Sequence, residues 1–170
     1  MKRLLFLFFL GGLGALFFRS FLFEGVYLKT DSMAPTLAQG SHVFVNKFTY
    51  RFKKPLRGDI VVFRTPQQPD QKKGLVKRVI AIEGDTLEIR NKKVVLNGKE
   101  QNERYIQNLY PDVKYVDDNL QAILIPPGHV FVLGDNRDVS GDSRDWKDAS
   151  GNWSPYVSLE AIQGRVIIPN

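Results

Sequence analysis

The N-terminal segment MKRLLFLFFLGGLGALFFRSFLF sets the first limit on what this chain can become. Lys2 and Arg3 precede an unbroken apolar run from Leu4 to Phe18, and three more apolar residues follow Arg19 and Ser20. A helix rising ~1.5 Å per residue needs about 20 residues to cross the hydrocarbon core of a bilayer. Residues 4–23 meet that length when Arg19 extends its side chain to the far interface. The alternative is a removable signal peptide with Lys2-Arg3 as its basic tip and residues 4–18 as its apolar stretch. Its weak point is the cleavage site, because beyond Gly14-Ala15 the chain continues LFFRSFLF without a clean small-x-small step. The retained anchor is the expectation. Lys2 and Arg3 would then hold the N-terminus in the cytoplasm and send the rest of the chain outward.

The remaining length suits one domain of ordinary size, and 43% hydrophobic residues are enough to build its core. The absence of cysteine excludes disulfides, thiol catalysis and cysteine-ligated metals. The net charge of +6 suits a solvated basic surface or attraction to anionic lipid. The basic residues are scattered and no nucleic-acid motif is present, so no nucleic-acid partner is expected.

After the anchor the pattern is one of short strands: HVFVNKFTY (42–50), DIVVFR (59–64), LVKRVIAI (75–82), TLEIR (86–90), KVVLN (93–97), AILI (122–125), HVFVL (129–133) and RVII (165–168). Turn residues separate them at Arg57-Gly58-Asp59, Glu83-Gly84-Asp85 and Asn97-Gly98. The expected fold class is therefore mainly β, an antiparallel sheet or barrel-like domain preceded by one transmembrane helix. Residues 99–121 are more polar and less regular, and read as part of a small inserted cap. The expected organisation is a cytoplasmic tip and anchor over 1–23, a β domain over 24–90 and 123–170, and the cap over 91–122.

Three stretches carry candidate chemistry. In LKTDSMAPTL (28–37), Pro35 biases Ala34 towards extended backbone, so Ser32 sits in a defined loop. In GLVKRVIAIEGD, strand alternation places Lys77 with Leu75, Val79 and Ala81, and Arg78 with Val76, Ile80 and Ile82. A lysine buried on an apolar face has its pKa lowered, and a neutral amine could take a proton from a serine. The alternative is that Lys77 reaches solvent along its aliphatic stem. The third stretch, LGDNRDVSGDSRDW (133–146), resembles a calcium loop at Asn136, Asp138, Ser140 and Gly141 but has Lys147 where a bidentate Glu is required. It otherwise reads as a polar turn cluster whose Asp and Arg side chains satisfy one another. His42 and His129 have no metal-ligand spacing or triad context, so no metal is expected.

In this order, the anchor, SMAPTL (32–37), RGDIVVF (57–63), KRVIAIEGD (77–85), GDNRDVSGDSR (134–144) and GRV (164–166) resemble the bacterial type I signal peptidases, membrane-anchored Ser–Lys proteases. The resemblance covers nearly the whole chain. It implies a serine endopeptidase that cleaves signal peptides from exported preproteins at the outer face of the cell membrane through an acyl-enzyme. Ser32 would be the nucleophile and Lys77 the general base, with no histidine and no cofactor. The family's oxyanion hole maps to the Ser32 N–H and to Thr30, where relatives often have Ser or Gly. Ser140 matches the lysine-orienting serine, and Asp142 and Arg144 its supporting ion pair. Met33, Pro35 and Val79 are the candidate lining of a pocket that would accept small residues before the cut. The expected partners are such preproteins and the lipid bilayer.

Two other functions fit the same motifs: a specialised relative maturing one conjugation or pilus protein, and an inactive membrane-anchored β domain that binds exported peptides. The segment DWKDASGNWSPY (145–156) is longer than the family pattern leads one to expect, and reads as a surface loop or a membrane-touching one through Trp146, Trp153 and Tyr156. Phe48, Tyr50 and Phe52, alternating with Lys47, Arg51 and Lys53, suggest an interfacial edge or ordinary core packing.

Overall fold

The structure, a computed structural model, describes residues 23–64, 74–106 and 118–168 together with Arg3, Phe9 and Gly11. Apart from Phe9, Gly11 and Phe23, the expected transmembrane span 4–23 lies outside the described residues, as does 107–117 of the expected cap. Among the described residues no helix is long and apolar enough to cross a membrane.

Eleven strands in the described residues are β1 Phe23–Tyr27, β2 His42–Asn46, β3 Ile60–Phe63, β4 Leu75–Ile82, β5 Thr86–Arg90, β6 Lys93–Leu96, β7 Lys99–Glu100, β8 Leu120–Leu124, β9 His129–Leu133, β10 Val157–Ser158 and β11 Ile162–Ile167. They form a seven-stranded sheet, β1-β2-β11-β3-β4-β9-β10, and a four-stranded sheet, β7-β6-β5-β8. Every pairing is antiparallel, so the mainly β expectation holds.

The large sheet is buried on both faces at its centre. All four residues of β3 are buried, with Ile60 and Val62 packing among Met33, Leu37 and Val45. Val61 and Phe63 point to the other side, towards Val79, Val132 and Trp146. The second sheet closes over a third cluster. Leu87, Ile89, Val94 and Leu96 meet Ile80, Ala81, Phe131 and Leu133 from the large sheet. This sheet begins at Thr86, ahead of the expected cap boundary at residue 91, because β5 pairs with β6 and β8. Its β6–β7 hairpin turns at Asn97 (φ 51°) and Gly98 (φ 79°), the two left-handed residues that a tight primed turn requires.

Several expectations need correction. Phe23 is not the end of an apolar span but starts β1, opposite Asn46. The expected strand 42–50 stops at Asn46, whose Oδ1 accepts the backbone N–H groups of Phe48 (2.9 Å) and Thr49 (3.0 Å). This side-chain cap turns the chain into a 3₁₀ turn over Thr49–Arg51. A bulge between Val79 and Ala81 shifts the alternation of β4, so Ala81 leaves the face of Val79 and joins the inter-sheet cluster.

Gly164 marks where β11 squeezes between β2 and β3. A Cβ there would lie 2.6 Å from Asn46 O and 2.7 Å from Val45 Cγ1. Gly164→Ala is expected to destabilise the protein by about 1–3 kcal/mol, the usual cost of overpacking. Urea unfolding in detergent measures it; an unchanged midpoint would show that the strands can separate without cost.

Candidate active site

Ser32 lies between β1 and β2, in a turn closed by Ala34 N–H to Asp31 O (3.0 Å) and Leu37 N–H to Met33 O (2.8 Å). Met33 and Leu37 anchor the turn by burying their side chains in the first core cluster. Ser32 itself is 8% exposed, whereas Thr30, Asp31 and Pro35 are exposed. Thr30 Oγ1 and Ser32 Oγ share a hydrogen bond of 3.2 Å.

Lys77 occupies β4 opposite Val61, flanked in sequence by Val76 and Arg78, and is 3% exposed. The stem-to-solvent reading of this residue therefore fails: the side chain is inside. Burial lowers its pKa to about 8; Asp142 works against that shift, Arg144 adds to it, and Asp135 and Asp145 oppose it. Continuing the register Arg78↔Leu133 by one residue brings Gly134 opposite Lys77.

Gly134 is the junction of the site. A Cβ at this position would collide with Ser140 Oγ and with the Ser32 carbonyl oxygen, so both groups rest against a backbone that only glycine leaves open. Asn136 N–H donates to the Ser32 carbonyl (3.1 Å), and Ser140 N–H donates to the Asn136 carbonyl (3.1 Å). The loop after β9 thus holds the serine turn by its backbone and brings Ser140 to it. The Ser140 hydroxyl oxygen is buried without a hydrogen-bond partner among the described residues. A buried hydroxyl in that state is suited to bond a group that arrives with substrate or with a change of protonation.

Asp142 and Arg144 brace this loop. Arg144 Nε and Nη2 donate to the two Asp142 oxygens at 2.8 and 3.1 Å, and Asp142 also accepts the Gly134 N–H at 3.0 Å. Burial opposes ionisation of Asp142, but Arg144 and the Gly134 N–H outweigh it and hold its carboxyl below the usual range. Arg144 Nη2 reaches the carbonyl of Arg137 as well (2.8 Å).

The structure therefore gathers Ser32, Thr30, Ser140, Asp142 and Arg144 around Gly134, which the strand register sets opposite Lys77. It places the pocket candidates apart: Met33 is 2% and Val79 0% exposed, in different core clusters, while Pro35 stands at the surface. The histidines lie elsewhere, His42 against the ring of Tyr27 and His129 against Pro127 O and Tyr156. No cluster of potential metal ligands occurs among the described residues.

Two things were missed from the sequence. Arg78, which alternation placed with Val76, Ile80 and Ile82, grips Asp135 with both Nε (2.8 Å) and Nη2 (2.6 Å) in the interior. An arginine in an apolar strand needs a buried counter-ion, and that was the available signal. Trp146 does not touch a membrane but is 4% exposed and packs on Phe63 at 5.8 Å. Trp153 instead ties the 145–156 segment back to the site, its indole N–H donating to Arg144 O at 2.9 Å.

Comparison with known proteins gives a consistent result. The family model for signal peptidase, peptidase S26, matches residues 1–170. The chain is similar to a probable signal peptidase I-1 of Synechocystis sp., 44% identical over 137 residues that cover 78% of this chain and 67% of that one. It is also similar to a signal peptidase I of Leptolyngbya laminosa, at 35% identity and with 91% and 71% covered. A signal peptidase I P of Bacillus subtilis subsp. natto is 40% identical, with 75% and 69% covered.

The burial of Lys77 has a thermodynamic consequence. Below about pH 8 the lysine is charged in both folded and unfolded chains, and the folded one bears the full cost of burying that charge. As pH rises from about 8 towards 10.5, the folded chain releases its proton first, so stability increases. Lys77→Met removes this dependence. Its stability advantage over the parent is expected to shrink by about 3 kcal/mol across that window. Urea unfolding of the two proteins at several pH values measures the difference; a gap independent of pH would contradict it.

Proposed function

The chain belongs to the signal peptidase family, peptidase S26, and from that premise we propose how this protein removes signal peptides from exported preproteins. Ser32 Oγ attacks the scissile carbonyl while Lys77 Nζ takes its proton. The Lys77 ammonium then protonates the leaving amine, the C–N bond breaks, and the mature protein departs. The signal peptide remains as an ester on Ser32. Lys77, neutral again, takes a proton from water, whose oxygen attacks the ester; Ser32 recovers its hydrogen and the signal peptide leaves as a carboxylic acid. Serine, amine and water suffice, so neither metal nor cofactor has a part.

The observation that carries this reading is the burial of Lys77 beside the loop that contacts Ser32. With a pKa of about 8, roughly a quarter of the amine is neutral at pH 7.5. An ordinary lysine at 10.5 would be neutral in about one molecule in a thousand at the same pH. The Ser140 hydroxyl, without a hydrogen-bond partner among the described residues, is available to bond the amine as its protonation changes, and the Asp142–Arg144 pair keeps its loop in place. The Thr30 hydroxyl and the Ser32 N–H are the donors for the tetrahedral oxyanion, the hydroxyl being already 3.2 Å from Ser32 Oγ. Of the three pocket candidates Pro35 alone is accessible to a substrate; Met33 and Val79 are core residues in separate clusters and take no part in the pocket.

The apolar N-terminal run would hold the enzyme in the cell membrane with its N-terminus in the cytoplasm and the β domain outside. Enzyme and preprotein then share one bilayer, which raises their effective concentration. The exposed side chains of Phe44, Phe48 and Phe52 support a lipid-facing edge, whereas Tyr50 turns inward to Asp59 (3.0 Å) and does not belong to it.

The test uses the full chain in detergent or lipid with a preprotein carrying an Ala-x-Ala cleavage site. Ser32→Ala and Lys77→Ala are each expected to lose about 10³-fold or more of the cleavage rate. Because the neutral amine is the active form, kcat/KM of the parent is expected to rise with pH through about 8. Cleavage that survives in Lys77→Ala would assign the base elsewhere. A parent enzyme that leaves several such preproteins intact would favour one dedicated substrate.

A further inference from the structure

The segment between β7 and the second half of the small sheet does more than connect strands. Gln101 N–H still bonds Val94 O (2.8 Å), and a turn from Glu103 O to Ile106 N–H (3.3 Å) then points Glu103 and Tyr105 at the loop after β9. Glu103 Oε1 accepts from Arg137 Nη2 at 2.6 Å and from the Tyr105 hydroxyl at 2.7 Å. The Arg137 and Glu103 side chains are only 3% and 6% exposed. The Tyr105 ring lies under the Arg78 guanidinium, 3.9 Å from its centroid, and Arg78 holds Asp135. Burial and the neighbouring Glu103 carboxylate push the Tyr105 phenol well above its ordinary range, so it stays a donor.

Both arginines end on the loop that touches Ser32. Arg137 Nε donates to the Gly134 carbonyl (3.1 Å), and its own carbonyl accepts from Arg144 (2.8 Å). Arg78, through Asp135, fixes the residue between Gly134 and Asn136. A buried ion pair adds little to stability when compared with apolar packing, yet losing one partner strands the other charge. Such a contact is therefore better suited to fixing one arrangement of a loop than to holding up the fold.

We propose that Glu103, with Arg137 and Tyr105, is a positioning latch: the 101–106 segment of the small sheet sets the loop 134–140, and through Gly134 it sets the placement of Ser140 and Ser32 beside Lys77. The proposal rests on the Ser–Lys reading for its catalytic consequence, but not for its structural one. The charges that bear on Lys77, from Asp142, Arg144, Asp135 and Asp145, all sit on the stretch that begins with this loop, so a loosened latch also changes the environment of the amine.

The experiment compares the parent with Glu103→Ala, Glu103→Gln, Arg137→Ala and the Glu103→Ala/Arg137→Ala double variant, all as full chains in detergent. With a preprotein substrate, and with rates expressed per titrated active site, kcat of Glu103→Ala is expected to fall about 10- to 100-fold with KM within about threefold. Its pH profile moves to higher pH as water reaches Lys77. Glu103→Gln keeps an oxygen acceptor for Arg137 and Tyr105 and recovers most of the loss. The double variant is no worse than the poorer single one. A purely structural role would lower the yield of folded protein but leave kcat per site and the pH profile unchanged, and that result overturns the latch.

Amide hydrogen exchange tests the same point without catalysis. In Glu103→Ala the N–H groups of Asn136 and Ser140 are expected to exchange at least about tenfold faster, with the β4 and β9 amides unchanged. Unaltered exchange at both overturns the proposal whatever the kinetics show. If the parent cleaves no preprotein, the Ser–Lys reading fails and the exchange result alone decides the latch.

Discussion

The removal of one lysine from water governs the rest of this structure. Lys77 lies in the central region of a sheet whose neighbouring strand, β3, is buried from end to end. An ammonium there loses its hydration, and the protein meets that cost by lowering the pKa to about 8 rather than by giving the lysine a dedicated carboxylate. Asp142 acts on it, but Asp142 is already committed to Arg144. Full pairing would have kept the amine charged. The partial compensation leaves it able to accept a proton at moderate pH.

The architecture around that residue brings a serine turn and a polar loop towards a position already closed by core packing. β4 fixes the lysine, the turn between β1 and β2 brings Ser32, and the loop after β9 brings Ser140. Gly134 lets the last two approach because it has no side chain to keep them apart. The small sheet then packs against the large one through a shared apolar cluster and sends Glu103 and Tyr105 across to the same loop. Rigid strands carry the lysine and braced loops carry the rest, an arrangement that holds geometry without burying the serine completely.

Some of this could be read from the chain and some could not. β4, β5 and β9 matched their expected bounds because each is a short run rich in β-branched and other apolar residues with turn residues at both ends. β7 and β10 were invisible, since two-residue strands are created by their neighbours rather than by their own sequence. β1 was hidden by continuity with the apolar N-terminus, and β2 was overextended because the capping role of Asn46 depends on its geometry. At the site, alternation put Lys77 on an apolar face, but it could not say whether the side chain stayed inside. Resemblance, not periodicity, singled out Ser140, Asp142 and Arg144. The bulge at Val79–Ala81 and the Arg78–Asp135 pair are tertiary facts with only faint local signals.

The central claim is that Lys77 is neutral in a substantial fraction of molecules near neutral pH because the fold desolvates it. Its most direct test is an NMR titration of the Lys77 side chain, with ¹³C-labelled lysine in the full chain and Lys77→Met to assign the signal. The account predicts an inflection near pH 8, well below the 10.5 of an ordinary lysine. An inflection at the ordinary value would mean that Lys77 is charged under working conditions, and the proposed dyad would then lack its base.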